Sequence, residues 1–389
     1  QVFSQKGTEI SGLVKTDLSL KGLQSDATAQ RYSRLSNSGT AEVKDLEMRS
    51  QYFPLPFKIA GGLFRFKDDK MWFDQFKAAY GKSTFTLNGY LSNVINYALK
   101  ENEPLKGNFK CTSAYLLVDE FMAYAGDTAT AADTTATGVV LVPANLSLVF
   151  NADVNKLAYN GLELEDFIGE MAIDSGKIKL KQAGFNIIGA PVIMDAEYGS
   201  LSPVKAYFNY HINAKEFDIK RAYNEIKLFR DLATSAAGAE GIVSLDYTLG
   251  GKLGADMHPL YPSLKGAGVL SVKKVKMNGF KLFSAVGKET GKDSISNPDL
   301  SEVNIKTTIA NNIITLERTK MKVAGFRPRF EGQVSFDGKL NLSGRLGLPP
   351  FGIIGIPFSV TGTQDKPVVK LRKQKDSDKI EETTEEADQ

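Results

Sequence analysis

The chain is poor in the residues that carry most protein chemistry: among 389 residues it has one cysteine, Cys111, and two histidines, His211 and His258. A lone cysteine excludes an internal disulfide and says little about compartment, since oxidising compartments also hold disulfide-free proteins. Its ordinary role is that of a small buried hydrophobe. Neither histidine lies beside a cysteine or a spaced carboxylate pair, so both read as ordinary surface or hydrogen-bonded histidines rather than metal ligands or bases. No run of about 18 apolar residues occurs, so no stretch reads as a membrane-spanning helix. The net charge is only +3, and the 48 basic residues are dispersed rather than blocked together with aromatics. That pattern argues against nucleic acid as a partner.

Catalytic motifs are equally scarce. Gly266 and Gly268 form a GxG, but no third glycine follows at dinucleotide spacing and Val269 to Val272 read as a strand, so no helix N-terminus is there to cradle phosphate. Glu163, Glu165 and Asp166 cluster in LELED; the first two flank Leu164, the pattern of a strand with one wet face rather than of a glycosidase pair. There is no GxSxG elbow. No cofactor or metal is implied, and the chain reads as non-enzymatic.

What the sequence has is strand grammar. Hydrophobic residues make up 42% and charged residues 24%, a folded composition, and the length accommodates two to three domains. The organising stretch runs from Ile305 to Leu342. Ile305, Thr307 and Ile309 alternate, turn at Asn311 and Asn312, and resume at Ile314 and Leu316; Val334 and Phe336 turn at Asp337 and Gly338 into Leu340 and Leu342. Alternation broken by Asp-Gly or Asn-Asn is a hairpin pattern, because type I′ turns require positive φ. The same grammar recurs with Phe64, Phe66, a turn at Asp68 and Asp69, Met71, Phe73, then Phe85 and Leu87. It returns with Met171, Ile173, a turn at 174–176, Ile178 and Leu180. The copies share order but little identity, which predicts one meander of similar hairpins rather than a strict repeat array.

Along the chain, 8–22 and 39–48 read as strands, the latter slipping phase once between Val43 and Leu46 as a bulge requires. Pro54 and Pro56 suggest an edge or a connection. Helices are predicted over 92–101 with Ser92 as N-cap, over 114–124, after Asp218 through Phe229 as the longest, and briefly over 280–286. The tract 126–138, GDTATAADTTATG, has nothing to bury and reads as an exposed linker open to protease. Strand grammar resumes at Val139. The closing RLGLPPFGIIGIPFSVTG is extended and kinked, and 372–389 reads as a solvated acidic tail. Residues 1–371 are thus taken as one β-region. Its apolar face must close into a barrel, pair with a second sheet, be lidded by helices, or bind something apolar. Large aromatics and flexible methionines, Met194 among them, suit an adaptable lining and an ordinary sandwich core equally well.

The stretch MHPLYPSLKGAGVLSV, the run IANNIITLERTKMKVAGFRPRFEGQVSFDGKLNL and the closing RLGLPPFGIIGIPFSVTG resemble the C-terminal region of AsmA-like proteins of Bacteroidota type, as do AYGKSTFTLNGYLSN and NKLAYNGLELEDF upstream. The resemblance implies a periplasmic part of a Gram-negative envelope protein, similar to bridge-like lipid-transfer proteins, with an elongated antiparallel sheet curled into a taco-like groove and a few short helices. It implies phospholipid or another envelope lipid as ligand, possible envelope protein partners, and an inner-membrane anchor upstream, consistent with a chain that begins at Gln1. The expected groove lining is the set of hairpin residues named above, from Phe64 to Leu342. The alternative expectation is a structural or assembly factor of the envelope whose β-core is filled by its own side chains.

Overall fold

The computed structural model describes residues 8–29, 35–50, 53–100, 102–122 and 138–372. The linker tract 126–138, apart from Gly138, and the tail beyond Arg372 lie outside them. The protein is mainly β. Its elements in chain order are β1 (Thr8–Lys21), α1 (Gln24–Thr28), β2 (Ser36–Ser50), β3 (Phe53–Lys67), β4 (Lys70–Tyr80), β5 (Ser83–Ser92), α2 (Val94–Leu99), β6 (Leu105–Leu117), α3 (Val118–Met122), β7 (Leu146–Tyr159), β8 (Leu162–Asp174), β9 (Lys177–Ile187), β10 (Ala190–Ser202) and β11 (Lys205–Asp218). There follow α4 (Ile219–Glu225), α5 (Lys227–Leu232), β12 (Ala239–Leu253), β13 (Lys265–Met277), α6 (Lys281–Thr290), β14 (Asp299–Ala310), β15 (Ile313–Lys320), β16 (Arg327–Ser335), β17 (Leu340–Gly347), β18 (Gly355–Gly362) and β19 (Pro367–Lys370).

The chain divides into two compact units. The first comprises Gln1–Asn186, Met194–Phe208 and Leu253–His258; the second comprises Ile187–Ile193, Asn209–Lys252 and Pro259–Gln389. In the first, β1 to β8 pair in chain order. In the second, β12 to β19 do the same. All these pairs are antiparallel except β6–β7, which is parallel. The sheet is thus mostly antiparallel, as expected from the sequence, and the continuous run of hairpins is interrupted only there among these pairs. Parallel neighbours need a long return connection, and the chain between Leu117 and Leu146 supplies it.

That connection is tied down at both ends. Glu120 of α3 accepts hydrogen bonds from the Lys82 N–H at 2.9 Å and the Ser83 hydroxyl at 3.1 Å, holding the β4–β5 turn. The neighbouring Asp119 accepts from the Asn160 N–H at 3.0 Å at the β7–β8 turn. On the return, the Val139 N–H donates to the Pro203 carbonyl at 3.0 Å, and Val139 is buried against Ala206 and Leu253. Regular strand resumes only at Leu146, seven residues later than the alternation suggests.

Turns fall where the sequence places them, though the Asp337–Gly338 turn has positive φ only at Gly338, 83°, and not at both residues as type I′ requires. Asp68, Ser175, Asn311 and Asn312 all have positive φ, between 51° and 60°. The phase slip in β2 falls at Asp45, φ 49°, where the register with β1 shifts. Helices follow the sequence less well. The expected 92–101 helix shrinks to α2 with Asn93, not Ser92, at its N-cap. Ala114 to Leu117, read as helix, complete strand β6. Asp218 does cap α4, accepting from the Arg221 N–H at 2.8 Å, but the helix breaks at Ile226, and α6 is the longer one. Pro54 and Pro56 sit in the extended start of β3, outside the paired positions given for it on either side. They fit because β4 pairs only from Phe57 onward and the β2 register is interrupted between Met48 and Ser50, so no ladder bond is asked of them.

Candidate functional site

In the first unit, cross-strand registers line up apolar side chains in rows that cross the strands. One row reads Thr16, Ala41, Phe64, Phe73, Gly89, Phe109, Phe150 and Met171 on β1 to β8. The next reads Leu18, Gly39, Phe66, Met71, Leu91, Gly107, Leu148 and Ile173. Phe76, Leu87 and Cys111 begin a third, and Ala78 faces Phe85 in a fourth. Directly opposed residues share a face. The sequence-predicted lining residues of β3, β4, β5 and β8 therefore stand on one face of one ladder.

Phase along β4 is kept by a bulge. Met71 and Phe73 alternate, but Phe76, Ala78 and Tyr80 lie on the opposite parity. Gln75, φ 51°, is the extra residue, and its N–H is taken by Asn88 Oδ1 at 2.8 Å. Phe73 and Phe76 therefore both reach the apolar face, with ring centroids 5.6 Å apart. The same device recurs at Gln182, φ 46°, whose N–H and side-chain amide both donate to Asp195, each at 2.9 Å. It restores phase in β9, where Ile178 and Leu180 precede the bulge and Ala183 and Phe185 follow it.

Glycine admits a further contact. Gly89 separates Phe73 from Phe109 in the row, and with no side chain between them the two rings meet edge to face at 5.3 Å. A Cβ there would lie 2.8 Å from Phe109 Cδ1. Phe64, Phe73, Phe76, Phe109 and Phe150 thus form a continuous ring network.

The face is graded. Val43, Ile59, Phe76 and Ala78 are buried at its centre, and Phe109 and Val154 are 5% and 1% exposed. Phe64, Phe66, Met71, Phe73, Phe85, Leu87, Met171, Ile173, Ile178 and Leu180 are half-buried. On β1 the same face opens: Ile10, Val14, Leu18 and Leu20 are 50% to 63% exposed. The β1 residues were read only as a strand; their exposure has no sequence signal, because alternation is identical in a covered and an uncovered strand.

The opposite face is wet. Arg65 donates to Asp74 through two nitrogens, at 2.5 and 3.1 Å, which holds the Asp74 carboxyl below the usual range. Lys177 and Tyr207 both donate to Glu197, with the Tyr207 hydroxyl the main cause of its lowered pKa. A shallow hollow of ≈ 840 Å³ is lined by polar residues of this side, Lys58, Lys77, Thr86, Thr112, Asp153 and Asn155 among them, and also by Ile59, Ala78 and Phe85.

In the second unit Ile314 faces Val334, and Val334 faces Leu340; Leu316, Gly332, Leu342 and Val360 form the adjacent row. Ile314, Leu316, Val334 and Phe336 are half-buried, but Leu340 and Leu342 are buried at 7% and 3%. Part of this face is roofed by α6, whose Phe283 packs on Phe330 at 5.5 Å; Phe330 in turn meets Phe358 at 5.4 Å across Gly344. Phe336 packs edge to face on Tyr261.

No protein-family model, curated protein or solved structure matches the chain. The site is therefore argued from its own geometry. Among the described residues no group of three or more His, Cys, Asp or Glu is placed to hold a metal. His211 lies 2.7 Å from Asp246, and His258 beside Asp256, both exposed. Glu163 pairs with Lys156 at 3.6 Å on exposed β-surface, and Gly266 and Gly268 lie within β13. Cys111 stands on the apolar face opposite Leu87, where burial pushes its thiol up to about 11.

Proposed function

We propose that the protein is a non-enzymatic lipid-binding or lipid-transfer module of the Gram-negative envelope, in which the apolar face of the first unit shields acyl chains while head groups stay wet. The observation that carries this reading is the graded apolar face itself, with large half-buried side chains in register across successive strands and open aliphatics on β1. Moving an acyl chain from water to such a surface gains about 0.8 kcal/mol per CH₂, so a continuous apolar path suffices without a catalytic group. In this reading the strands curl into a groove, the chain works in the periplasm, and its AsmA-like resemblance supplies the inner-membrane tether and the role in outer-membrane lipid homeostasis.

The test is gentle purification after periplasmic expression, followed by lipid extraction and mass spectrometry, beside a β-sandwich of similar size. Stoichiometric phospholipid or lipid A on this chain alone is expected. Clean protein that also refuses fluorescent lipid would sink the reading. One specific observation favours a second reading, an envelope scaffold with a self-filled core: the ring network around Phe73 and Phe109 packs the centre of the face with the protein's own side chains.

A further inference from the structure

The connection between β17 and β18 is the most exposed apolar feature of the described residues. Phe351, Ile353 and Ile354 are 71%, 78% and 74% exposed. Isolated surface hydrophobics are ordinary, but three bulky ones within four residues at a loop tip form a patch. The backbone of this loop is closed on itself. The Gly352 N–H donates to the Leu348 carbonyl and the Leu348 N–H to the Ile354 carbonyl, both at 2.8 Å, while Arg345 Nη2 donates to the Ile353 carbonyl at 2.5 Å. These bonds pair the carbonyls of Leu348, Ile353 and Ile354 and so lower the cost of bringing the tip towards an apolar medium.

The surroundings are cationic without compensation. Lys320 faces Arg329, and Arg329 faces Arg345, on successive strands. Like charges directly opposite destabilise a sheet, yet no carboxylate pairs with any of the three among the described residues. Nor does the sequence supply one nearby: 320–329 and 344–357 contain five basic residues, with Lys322 and Arg327, and no acidic one. Arg327 lays its stem along the loop, since a Cβ on Gly352 would lie 2.8 Å from Arg327 Cδ. An apolar tip with an arginine stem laid along it and further basic residues on the neighbouring strands is a composition suited to snorkelling at a bilayer interface.

We propose that 348–354 is a bilayer-docking loop, in which Phe351, Ile353 and Ile354 insert among the acyl chains of an anionic membrane and Lys320, Arg329 and Arg345 meet its phosphates. The inference stands apart from the lipid-carrying reading, since a scaffold could dock in the same way. The test is flotation of the full chain with vesicles of phosphatidylglycerol and phosphatidylethanolamine, beside vesicles of phosphatidylcholine alone. Binding to the anionic vesicles is expected, weakening as salt rises. Joint Phe351→Ser, Ile353→Ser and Ile354→Ser substitution lowers partition by about tenfold or more, and joint Lys320→Gln and Arg329→Gln by on the order of tenfold on anionic vesicles only.

A second probe does not depend on losing binding. In a Trp72→Phe background, Phe351→Trp emission shifts to the blue with anionic vesicles and is quenched by brominated acyl chains. Three results would each overturn the proposal: equal binding by parent and triple-serine variant, equal binding to both vesicle types, or a vesicle-free dimer that the serines abolish. The last would assign the patch to a second copy of the chain. Lipid extraction reads out independently, so failure here leaves the carrier reading where it stood.

Discussion

At the scale of single residues, the same arrangement stands in both units: two phenylalanines two strands apart, meeting over a glycine. Phe73 and Phe109 meet over Gly89, and Phe330 and Phe358 over Gly344. Gly89→Ala places a Cβ 2.1 Å from the Asn108 carbonyl oxygen, and overpacking of that kind costs about 1–3 kcal/mol. Phe109→Ala, which empties the centre of the network, is expected to cost about 3–5 kcal/mol. Urea unfolding followed by circular dichroism measures both, and unchanged midpoints would show the rings to be free rather than packed. Cys111 offers a pH test. Its folded thiol holds the proton more tightly than the unfolded one, with a pKa pushed up to about 11. That stabilisation is complete below the unfolded thiol's pKa and is lost as pH rises through about 11. At pH 8 the native thiol should react with iodoacetamide roughly two orders of magnitude more slowly than a free cysteine, measured by mass spectrometry.

Elements are set by phase, and phase is corrected by bulges. Gln75 and Asn88 are 13 residues apart, as are Gln182 and Asp195. Arg318 and Glu331, where the β15–β16 register shifts, repeat the spacing as a bidentate ion pair. Deleting Gln75, the extra residue, would leave Phe73, Phe76, Ala78 and Tyr80 in simple alternation on the apolar face, whereas deleting Lys77 would put Ala78 and Tyr80 out of phase with Phe76, because a one-residue slip inverts a strand. Loss of cooperative unfolding in the first unit is expected of the Lys77 deletion, whereas the Gln75 deletion keeps the apolar phase and costs only about 1 kcal/mol of hydrogen bonding. Equal behaviour of the two variants in a thermal melt would contradict the phase argument. Hairpin turns were legible because Asn311-Asn312 and Asp68-Asp69 carry their own φ requirement. The 114–124 segment was legible as helix over Val118–Met122 but misread at its start, because AYLL supports either period and pairing of Tyr115 with Thr84 on β5 decides for strand. The helix after Asp218 was legible at its cap but not at its break: Ile226, φ −106°, leaves the helical region although the apolar spacing continues through it.

For the molecule as a whole, the graded face allows a functional test that a closed core would not. Phe64 cannot be charged without damage to packing, but Leu18 lies in the Phe66 row and is 63% exposed. Leu18→Glu is expected to change stability by about 0.5 kcal/mol or less while lowering co-purified lipid measured by mass spectrometry. Full lipid retention with a stable Leu18→Glu variant would place the carrier surface elsewhere. The sequence by itself determined the mainly β architecture, the hairpin turns and the side-chain parity of most strands, because period two and turn stereochemistry are local properties of the backbone. Tertiary structure decided which apolar positions are accessible. Leu340 and Leu18 alternate alike in sequence, yet one is buried and the other open, because burial depends on what the chain brings over each face. The cationic row of Lys320, Arg329 and Arg345 has the same origin: register, not sequence neighbourhood, sets those charges side by side.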